Sequence, residues 1–522
     1  MPPLPLRLLL AAAAGVVVAV SFEPFALFYL MPLGVAGLSL VVRGQRPGSG
    51  FLLGTTFGTS FMLALLPWLQ VIGTDAWLAL SVFQGLFYGL LGLGTALVQR
   101  LAWWPLWTAM MWVAIEALRS TVPFGGFPWG RLAFATADTP ASGLFAYVGS
   151  AGTTFAVALI GSGLAWAVLE TRRTPLRGMA AVALPVLVAS FAGVVTPWAP
   201  AAGEQPRRVV SVAAVQGNVP GEGMDAFAER RAVLNNHVQA TRDLADRIEQ
   251  GAPRPDLVIW PENSTDIDPF ADPTVYADIQ GAVDAVDVPV LVGAMVSGEQ
   301  PEDVFNQGIV WRPDEGPAQR YSKNHPVPFG EYIPFRDVFA PYIERLDQIP
   351  RDMVPGTAPG LLTLGGTTIG DLICFEVAYD ELLHDVVEGG AELVVVQTNN
   401  ATYMGTGQIE QQFAISRLRA IETNRYVVVA ATNGVSGIIG PDGEVVQRAP
   451  VRSQSVLRED LPVYATTTPA LRWAPVVELL FTAGALISAS LAVLLNYRRR
   501  RAPAEADGDG PQPAVYVGAG EV

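Results

Sequence analysis

Apolar stretches long enough to cross a membrane fill the first 200 residues of this chain, and one more follows near its end. A run of about 20 apolar residues spans the hydrocarbon core of a bilayer as a helix. The hydrophobic fraction of 51% and the mean hydropathy of +0.34 are high for a purely soluble protein. We therefore predict a polytopic helical membrane domain of about eight spans, at 6–21, 23–42, 50–72, 77–99, 101–119, 143–170, 177–198 and 475–497.

Arginines flank these spans on alternate connections, and basic residues concentrate on the cytoplasmic side of a membrane. The groups are Arg7, Arg43, Arg46, Arg100, Arg172, Arg173, Arg177 and Arg498 to Arg501. We therefore expect a multi-pass protein with both termini in the cytoplasm and the middle of the chain on the outer face. This topology requires that the first two stretches each cross. Both are short, and Glu23-Pro24 divides them, so a bent pair or two half-helices is the alternative.

The middle of the chain differs in charge and in pattern. Between residues 201 and 474 there are 20 Arg or Lys and 38 Asp or Glu, a net charge of −18 within a total of −15. Such an acidic surface argues against nucleic acid as a partner, because a phosphate binder needs a basic surface. Short β-rich runs alternate with amphipathic stretches, which is typical of an α/β layered domain. The runs are 209–216, 256–262, 288–296, 369–376, 392–400 and 426–432.

These patterns divide the chain into four parts. We predict a membrane domain at 1–200 with about seven spans, and an outward-facing layered domain at 205–465. A final transmembrane helix is expected at 475–497, and a tail at 498–522 that begins basic and continues disordered. The amino terminus lacks a small-residue cleavage site, so we expect an uncleaved anchor rather than a signal peptide.

Two residue types occur once each. Of the 33 basic residues only Lys323 is a lysine, and Cys374 is the sole cysteine. Lysine offers a compact ammonium with rotatable donors where the planar fork of arginine does not fit. A lone thiol is either core filler or a nucleophile. The three histidines are scattered, so we expect no metal site and no cofactor.

Three segments place a reactive side chain where a predicted strand or loop ends. Glu262 ends the run 256–262, and Lys323 precedes a Pro- and Gly-rich loop that ends in Glu331. Cys374 lies in the apolar run 369–376, just before a helix that we expect to begin near Tyr379. A helix end and a nearby ammonium would lower the pKa of the thiol. Glu262 would act as general base, and Lys323 would stabilise a tetrahedral oxyanion.

The order of these residues carries a resemblance. WPEN around Glu262, YSKNHPVPFGEY around Lys323 and ICFE around Cys374 resemble the nitrilase, or carbon–nitrogen hydrolase, superfamily, which implies an αββα sandwich with a Glu-Lys-Cys triad. With spans on both sides, the chain resembles the apolipoprotein N-acyltransferase family. Further matching motifs are PFGGFPWG (123–130), VQGN (215–218), TNNATY (398–403) and the segment 417–443.

That resemblance implies a reaction, its partners and its location. Cys374 would take an acyl chain from a phospholipid as a thioester and pass it to the amino terminus of a diacylglyceryl-apolipoprotein. The enzyme would be a monomer in the cytoplasmic (inner) membrane, with its catalytic domain on the periplasmic face. Glu331 would orient Lys323, and Glu376 matches a further functional glutamate. Possible pocket residues are Phe375, Asn399, Asn400 and Tyr403.

The sequence also departs from the family pattern and leaves alternatives open. Phe375 stands where Tyr is common, Met224 lies where a Trp is expected, and TNNATYMG lacks the usual Trp-Phe. One alternative is a membrane-anchored amidohydrolase of the nitrilase type, which would use the same triad with water as acceptor. Another is a transporter or receptor that carries an inactive nitrilase-like domain.

Overall fold

The computed structural model describes residues 2–170, 183, 186–187, 205–219, 230–298 and 300–501. Several sequence-based predictions lie outside these residues and stay predictions. They are most of the span at 177–198, the arginines at 172, 173 and 177, Met224 and the tail from residue 502.

The amino-terminal part is a bundle of apolar helices. They are α1 (Leu4–Ala19), α2 (Met31–Val42), α3 (Pro47–Leu65), α4 (Thr74–Val98), α5 (Trp104–Thr121) and α6 (Phe145–Glu170). Short 3₁₀ turns lie between them at Phe28–Leu30, Pro67–Val71, Leu132–Thr136 and Pro140–Leu144.

Helices α3 and α4 pack closely because both carry glycine at their contact. A β-carbon at Gly54 would lie 2.1 Å from the carbonyl oxygen of Tyr88, and one at Gly92 would lie 2.2 Å from that of Gly50. Small residues of this kind let membrane helices approach each other at backbone distance.

The sandwich domain follows, and we define it as the residues from Arg208 to Val463 that form two sheets. The first sheet has the strand order β13-β1-β2-β3-β4-β5, with β6 beside β4. The order in the second is β12-β11-β10-β9-β8-β7. The strands are β1 (Arg208–Gln216), β2 (Leu257–Ile259), β3 (Val290–Ser297), β4 (Asp303–Arg312), β5 (Gly316–Ser322), β6 (Asp352–Met353), β7 (Leu361–Leu364), β8 (Thr367–Ile373), β9 (Leu393–Thr398), β10 (Val427–Ala431), β11 (Gly437–Ile439), β12 (Val445–Arg448) and β13 (Ser455–Val463).

Helices cover the outer face of each sheet, which gives the four-layer α/β/β/α arrangement that the resemblance implies. Helices α7 (Arg230–Glu249) and α8 (Pro273–Val286) bury one apolar layer against the first sheet. A second layer, with Val212, Ile259 and Val428, lies between the sheets. The short helix α9 (Arg336–Phe339) lies in the loop after β5, and α10 (Asp380–Glu388) and α11 (Gln408–Thr423) cover the second sheet.

The second sheet, its helices and the membrane bundle share one continuous apolar cluster. Leu383 and Leu418 of α10 and α11 belong to the same buried cluster as Phe61 and Trp129 of the bundle. The last helix, α12 (Pro469–Arg501), returns from the sandwich and packs against α5 and α6. The sandwich therefore rests on the helices through α10 and α11.

The number of membrane crossings is only partly established. Among the described residues, four helical segments are long and apolar enough to span a bilayer: Pro47–Leu65, Thr74–Val98, Pro140–Leu169 and Pro469–Arg498. The first two predicted spans form helices of only 16 and 12 residues. The predicted span at 101–119 corresponds to α5, which carries Glu116 and Arg119 and is not one of the four. Eight crossings therefore remain a prediction.

Candidate active site

The three residues of the predicted triad lie at the ends of strands from both sheets. Glu262 follows β2 by three residues, and Lys323 comes directly after β5 in the same sheet. Cys374 comes directly after β8 in the second sheet. The two sheets face each other, so their strand ends bring residues that are 112 positions apart into one site. Ligands and reactive groups collect at such strand ends in α/β proteins.

Glu262 and Lys323 form a buried ion pair. The Nζ atom of Lys323 lies 3.2 Å from Oε1 of Glu262, and both side chains are almost completely buried. Oε1 also accepts a hydrogen bond from Nδ2 of Asn306 at 2.7 Å. Oε2 accepts one from the backbone N–H of Asn399 at 2.8 Å. These donors stabilise the carboxylate and fix its orientation.

Glu331 completes the surroundings of the ammonium. Its Oε1 atom lies 2.6 Å from Nζ of Lys323, and its Oε2 accepts a hydrogen bond from the backbone N–H of Val327. Burial by itself lowers the pKa of Lys323, but the carboxylates of Glu262 and Glu331 outweigh it and hold that pKa well above its usual value. Burial raises the pKa of Glu331 more than the ammonium lowers it. Lys323 is therefore a cation at neutral pH.

Two of the three N–H groups of this ammonium are used by the carboxylates in the described structure. A lysine ammonium has three donors and no acceptor. One donor is thus left for a third oxygen, such as the oxyanion of a tetrahedral intermediate.

Cys374 occupies a tight turn. Its φ angle is +57°, in the left-handed region that non-glycine residues rarely adopt. The residue comes directly after β8 and begins a 3₁₀ helix, Cys374–Ala378. The helix expected near Tyr379 is α10, which begins at Asp380, after this 3₁₀ helix. Cys374 as a whole residue is partly exposed, and its Sγ atom accepts a hydrogen bond from Oγ1 of Thr398 at 3.4 Å. Strained backbone of this kind is often found at functional sites.

The expectation of a lowered thiol pKa is wrong for this structure. Burial raises the pKa of Cys374 to about 12, and the negative charge of Glu262 adds to the effect, whereas Lys323 lowers it only in part. Lys323 is itself paired with two carboxylates, so its charge is largely compensated. The thiol is therefore protonated at neutral pH, and a base must remove its proton.

Glu376 is buried and connects the lysine loop to the cysteine turn. Its Oε1 accepts hydrogen bonds from the backbone N–H groups of Asn324 at 2.6 Å and His325 at 3.1 Å. Its Oε2 accepts one from the backbone N–H of Ile373 at 2.8 Å, and the hydroxyl of Tyr321 lies 2.9 Å from both oxygens. Burial raises the pKa of Glu376 above its usual value. This carboxyl group thus fixes the segment after Lys323 against the residue before Cys374.

The predicted pocket residues have separate surroundings. Asn399 contacts Glu262 through its backbone, and its Oδ1 accepts from Oγ1 of Thr432 at 3.0 Å. Asn400 is buried in an amide network with Gln408 and Gln412 and does not contact the triad through its side chain. Tyr403 lies within electrostatic reach of Cys374, which contributes with burial to raising the pKa of the phenol.

An aromatic wall faces these residues, and we define it as Trp68, Phe127 and Trp129 of the membrane bundle. Phe375 stacks between the last two, at ring distances of 5.6 Å from Phe127 and 5.4 Å from Trp129. Trp68 meets Tyr403 edge to face at 5.3 Å. The turn that carries Cys374 therefore contacts the bundle through Phe375, the position that departs from the family pattern.

Two functional candidates were not anticipated from the sequence. Asn306 lies inside β4 with no local motif, and Gln411 lies in the first turn of α11. Only the PFGGFPWG motif indicated that the connection with Phe127 and Trp129 is unusual. The contacts of Asn306 and Gln411 depend on distant elements, so no local signal could have found them.

A further buried carboxyl group, Asp371, lies between the sheets beneath the site. Both of its oxygens lack a hydrogen-bond partner among the described residues, as does Oε1 of Gln397. A β-carbon at Gly308 would lie 2.1 Å from Oδ2 of Asp371 and 2.8 Å from Oε1 of Gln397, so the two acceptors meet at this glycine. Burial, together with the charges of Glu376 and Glu262, holds the pKa of Asp371 well above its usual value. The protonated form of Asp371 is therefore favoured in the folded protein, close to the Oε1 atom of Gln397.

Among the described residues, no group of three or more His, Cys, Asp or Glu side chains could hold a metal ion.

Comparisons with known proteins agree with both parts of the molecule. The sequence profile described as apolipoprotein N-acyltransferase N-terminal domain matches residues 14–163, and the profile described as carbon-nitrogen hydrolase matches residues 211–469. A curated apolipoprotein N-acyltransferase from Mycolicibacterium smegmatis is 38% identical over 508 residues, which cover 93% of this chain and 84% of that protein. One from Nitrosomonas europaea is 29% identical and covers 94% of this chain and 99% of that protein.

Among solved structures, an amidase of the nitrilase superfamily from Nesterenkonia matches with a TM-score of 0.38 and 18% identity. The match covers 52% of this chain and 96% of the amidase.

Proposed function

The chain belongs to the apolipoprotein N-acyltransferase family, and from this premise we propose how its buried residues transfer an acyl chain to a lipoprotein. The protein is an N-acyltransferase that acts in lipoprotein biosynthesis. We assign the catalytic roles to Glu262, Lys323 and Cys374. The observation that carries this assignment is the buried ion pair of Lys323 with Glu262, which acts electrostatically on the Cys374 thiol.

The first half-reaction forms a thioester. The Sγ atom of Cys374 attacks the ester carbonyl of a membrane phospholipid while the thiol proton passes to Glu262. The free N–H of Lys323 donates to the oxyanion that develops on the carbonyl oxygen. When the intermediate collapses, the C–O bond breaks and the protonated Glu262 returns its proton to the leaving alkoxide. The products are a lysophospholipid and an acyl-cysteine.

The second half-reaction passes the acyl chain to nitrogen. The uncharged amine of the diacylglyceryl-cysteine at a lipoprotein amino terminus attacks the thioester carbonyl, and Glu262 accepts a proton from the amine. The C–S bond then breaks, the thiolate regains this proton from Glu262, and an amide is formed. One nucleophile serves both steps, so ping-pong kinetics are expected.

The raised pKa of the thiol supports Glu262 as the base. A thiol with a pKa of about 12 is almost fully protonated at neutral pH. Attack by a free thiolate would therefore be rare, and concerted removal of the proton by a neighbouring carboxylate lowers the barrier. Glu331 and Glu376 act indirectly in this scheme: Glu331 holds the ammonium of Lys323, and Glu376 holds the loop that carries it.

A mass measurement tests the first half-reaction. The purified protein is mixed with phosphatidylethanolamine in detergent, and its intact mass is recorded before and after hydroxylamine. We expect an added acyl mass that hydroxylamine removes and that Cys374→Ala lacks. A labelled diacylglyceryl peptide should then take the chain from the adduct. An adduct that persists in Cys374→Ala would contradict the role of Cys374, and free fatty acid without acylated peptide would favour the hydrolase alternative.

We also propose the location and the division of the chain. The four parts are the same as those predicted from the sequence. They are a membrane domain at 1–200, a catalytic domain at 205–465 on the outer face of the cytoplasmic membrane, a returning helix at 475–497 and a cytoplasmic tail at 498–522. The acidic middle region and the arginines on alternate connections support this orientation. The enzyme is proposed to act as a monomer, because one chain supplies the whole triad.

Single-cysteine labelling tests this orientation. In the Cys374→Ala background, Gln239→Cys on exposed α7 and Arg100→Cys between α4 and α5 each introduce one thiol. A membrane-impermeant maleimide added to spheroplasts should label only the first variant. Labelling of Arg100→Cys alone would reverse the proposed topology.

A further inference from the structure

Gln411 uses both ends of its side-chain amide to join the sandwich to the membrane bundle. It lies on α11 and is only 6% exposed. Its Oε1 accepts hydrogen bonds from the indole N–H of Trp129 at 2.8 Å and of Trp68 at 3.2 Å. Its Nε2 donates to the backbone carbonyls of Glu23 at 2.8 Å and Leu65 at 3.2 Å. One amide thereby contacts four residues in three segments of the bundle.

The two tryptophans bound by Gln411 are those that contact the neighbours of the nucleophile. Trp129 lies parallel to Phe375, with an angle of 11° between the rings, and Phe375 directly follows Cys374. Trp68 contacts Tyr403, whose phenol is in electrostatic reach of the thiol. The two indoles also meet each other edge to face at 6.0 Å. An amide oxygen with two lone pairs therefore sets the positions of both rings.

We propose that Gln411 is a positioning residue: it holds the buried rings of Trp68 and Trp129 against Tyr403 and Phe375, the partly exposed rings along which the acyl chain of the donor lipid reaches Cys374. This inference rests on the proposed function, because it presupposes a long acyl chain at the thiol. Trp129 and Trp68 are themselves buried, only 2% and 6% exposed, and they pack against Phe375 and Tyr403, which are partly exposed. The apolar surface of these two rings suits a hydrocarbon chain and matters little to a small reagent. Gln411 thus contributes to selection of a chain-bearing substrate without contacting the reacting atoms.

The chemistry of the site explains why glutamine is needed here. Replacing it with leucine leaves two buried indole N–H groups and two buried carbonyls without partners, which is costly in an apolar interior. The rings would then turn to seek other acceptors. Replacing it with glutamate keeps the oxygen that accepts from the indoles and loses the nitrogen that donates to the backbone.

The single cysteine makes a direct test possible. The rate of Cys374 alkylation is followed by intact mass with N-ethylmaleimide and with N-hexadecylmaleimide, both in the same detergent. The ratio of the long-chain rate to the short-chain rate is then compared between the starting protein and its variants. We expect Gln411→Leu to lower this ratio by about tenfold, since the wall loses two hydrogen bonds. Gln411→Glu should keep it within about threefold of the starting protein, since both indoles retain their acceptor. An unchanged ratio in Gln411→Leu would overturn the proposal.

Two further variants keep the test decisive. Trp129→Phe retains a ring but removes the N–H that Gln411 holds, so it should lower the ratio even if Gln411→Leu does not fold, and an unchanged ratio in it would also overturn the proposal. Gln216→Leu removes another buried amide, which donates to the carbonyl of Pro450 at 2.8 Å in the sandwich. It should leave the ratio unchanged. An equal fall in this variant would show that loss of any buried amide lowers the ratio, which would contradict a specific role of Gln411.

The failure of this inference and of the proposed function can be told apart. Maleimide labelling needs neither phospholipid nor lipoprotein. If the starting protein forms no thioester while the ratio still depends on Gln411, the acyltransfer scheme is contradicted and the positioning role of Gln411 is supported. If thioester forms in Gln411→Leu with an unchanged KM for phospholipid and an unchanged maleimide ratio, the positioning role of Gln411 is contradicted and the acyltransfer scheme is supported. The inference predicts a raised KM for the donor lipid with a smaller change in kcat.

Discussion

Two buried ion clusters in this molecule use different cations for different tasks. In the active site, one lysine lies between two carboxylates, with Nζ 3.2 Å from Glu262 and 2.6 Å from Glu331. Where the sandwich meets the bundle, Arg419 contacts Asp380 at 2.6 Å and Glu422 at 2.5 Å. We call this second group the arginine joint, and it also includes Arg131 and His384.

Arg419 binds four fixed protein acceptors, whereas Lys323 binds two carboxylates and has the last of its three N–H groups left for a reacting oxygen. The guanidinium of Arg419 donates hydrogen bonds to two carboxylates and to the backbone carbonyls of Val377 and Ala378. Burial by itself raises the pKa of Asp380, but Arg131 and Arg419 hold that pKa well below its usual range. A planar fork suits such a fixed joint, and a rotatable ammonium suits a site where charge develops. This contrast explains why a chain so rich in arginine keeps one lysine.

Replacing the lysine of the active site with arginine should have the largest effect on catalysis. In Lys323→Arg the positive charge stays, but the fork cannot bind both carboxylates and still direct a donor at the oxyanion. We expect the rate of thioester formation to fall by about 10²–10³-fold. Single-turnover mass spectrometry measures this rate. A variant that keeps more than half of the rate would mean that any cation suffices here.

Glu376→Gln should have the next largest effect on chemistry. The amide can accept at only one end, so either the backbone of Asn324 and His325 or that of Ile373 loses its acceptor. The displacement of Lys323 relative to Cys374 should slow thioester formation by about 10–100-fold. Glu422→Gln is the matched control, because it is equally buried but lies in the arginine joint. Equal losses in both variants would assign Glu376 a purely structural role.

Arg419→Lys should affect stability rather than chemistry. It loses bonds to Val377, Ala378, Asp380 or Glu422 that an ammonium cannot all replace. We expect a loss of about 2 kcal/mol in the free energy of unfolding. Thermal unfolding in detergent measures this, and the folded fraction should retain its thioester-forming rate. A large fall in that rate with an unchanged melting temperature would show that the joint acts on the chemistry.

Asp371→Asn should have the smallest effect, and its sign depends on pH. The folded state holds this carboxyl protonated above its ordinary pKa, so its stabilising contribution is complete below that ordinary value and is lost as pH rises towards the folded pKa. An amide carries no such penalty and can still donate to Gln397. The variant should therefore be more stable than the starting protein at pH 8, and the difference should shrink towards pH 4. Chemical unfolding across this range checks the trend, which a constant difference would contradict.

Local patterns were enough to find the candidate triad and the layered fold. Lys323 and Cys374 stood out because each type occurs once, and Glu262 because it follows a strand-like run with a proline. The six apolar runs predicted β1, β2, β3, β8, β9 and β10. The other seven strands were not predicted: β6, β7, β11 and β12 have only two to four residues, and β4, β5 and β13 contain too many polar residues to stand out as apolar runs.

The thiol pKa illustrates why the rest could not be predicted. A helix end and a nearby ammonium are visible along the chain, and both favour a thiolate. Burial of the sulfur and the second carboxylate on Lys323 oppose it, and both arise only when the two sheets are packed together.

The sequence by itself determined the membrane character of the chain, the layered domain and the candidates for the reactive residues, because these follow from local hydrophobicity and residue chemistry. Only the tertiary structure decided that Glu376 connects two active-site segments, that Gln411 holds two tryptophans of the bundle, and that the thiol is protonated at rest. These properties depend on desolvation and on hydrogen bonds between residues up to 343 positions apart, which no local pattern encodes.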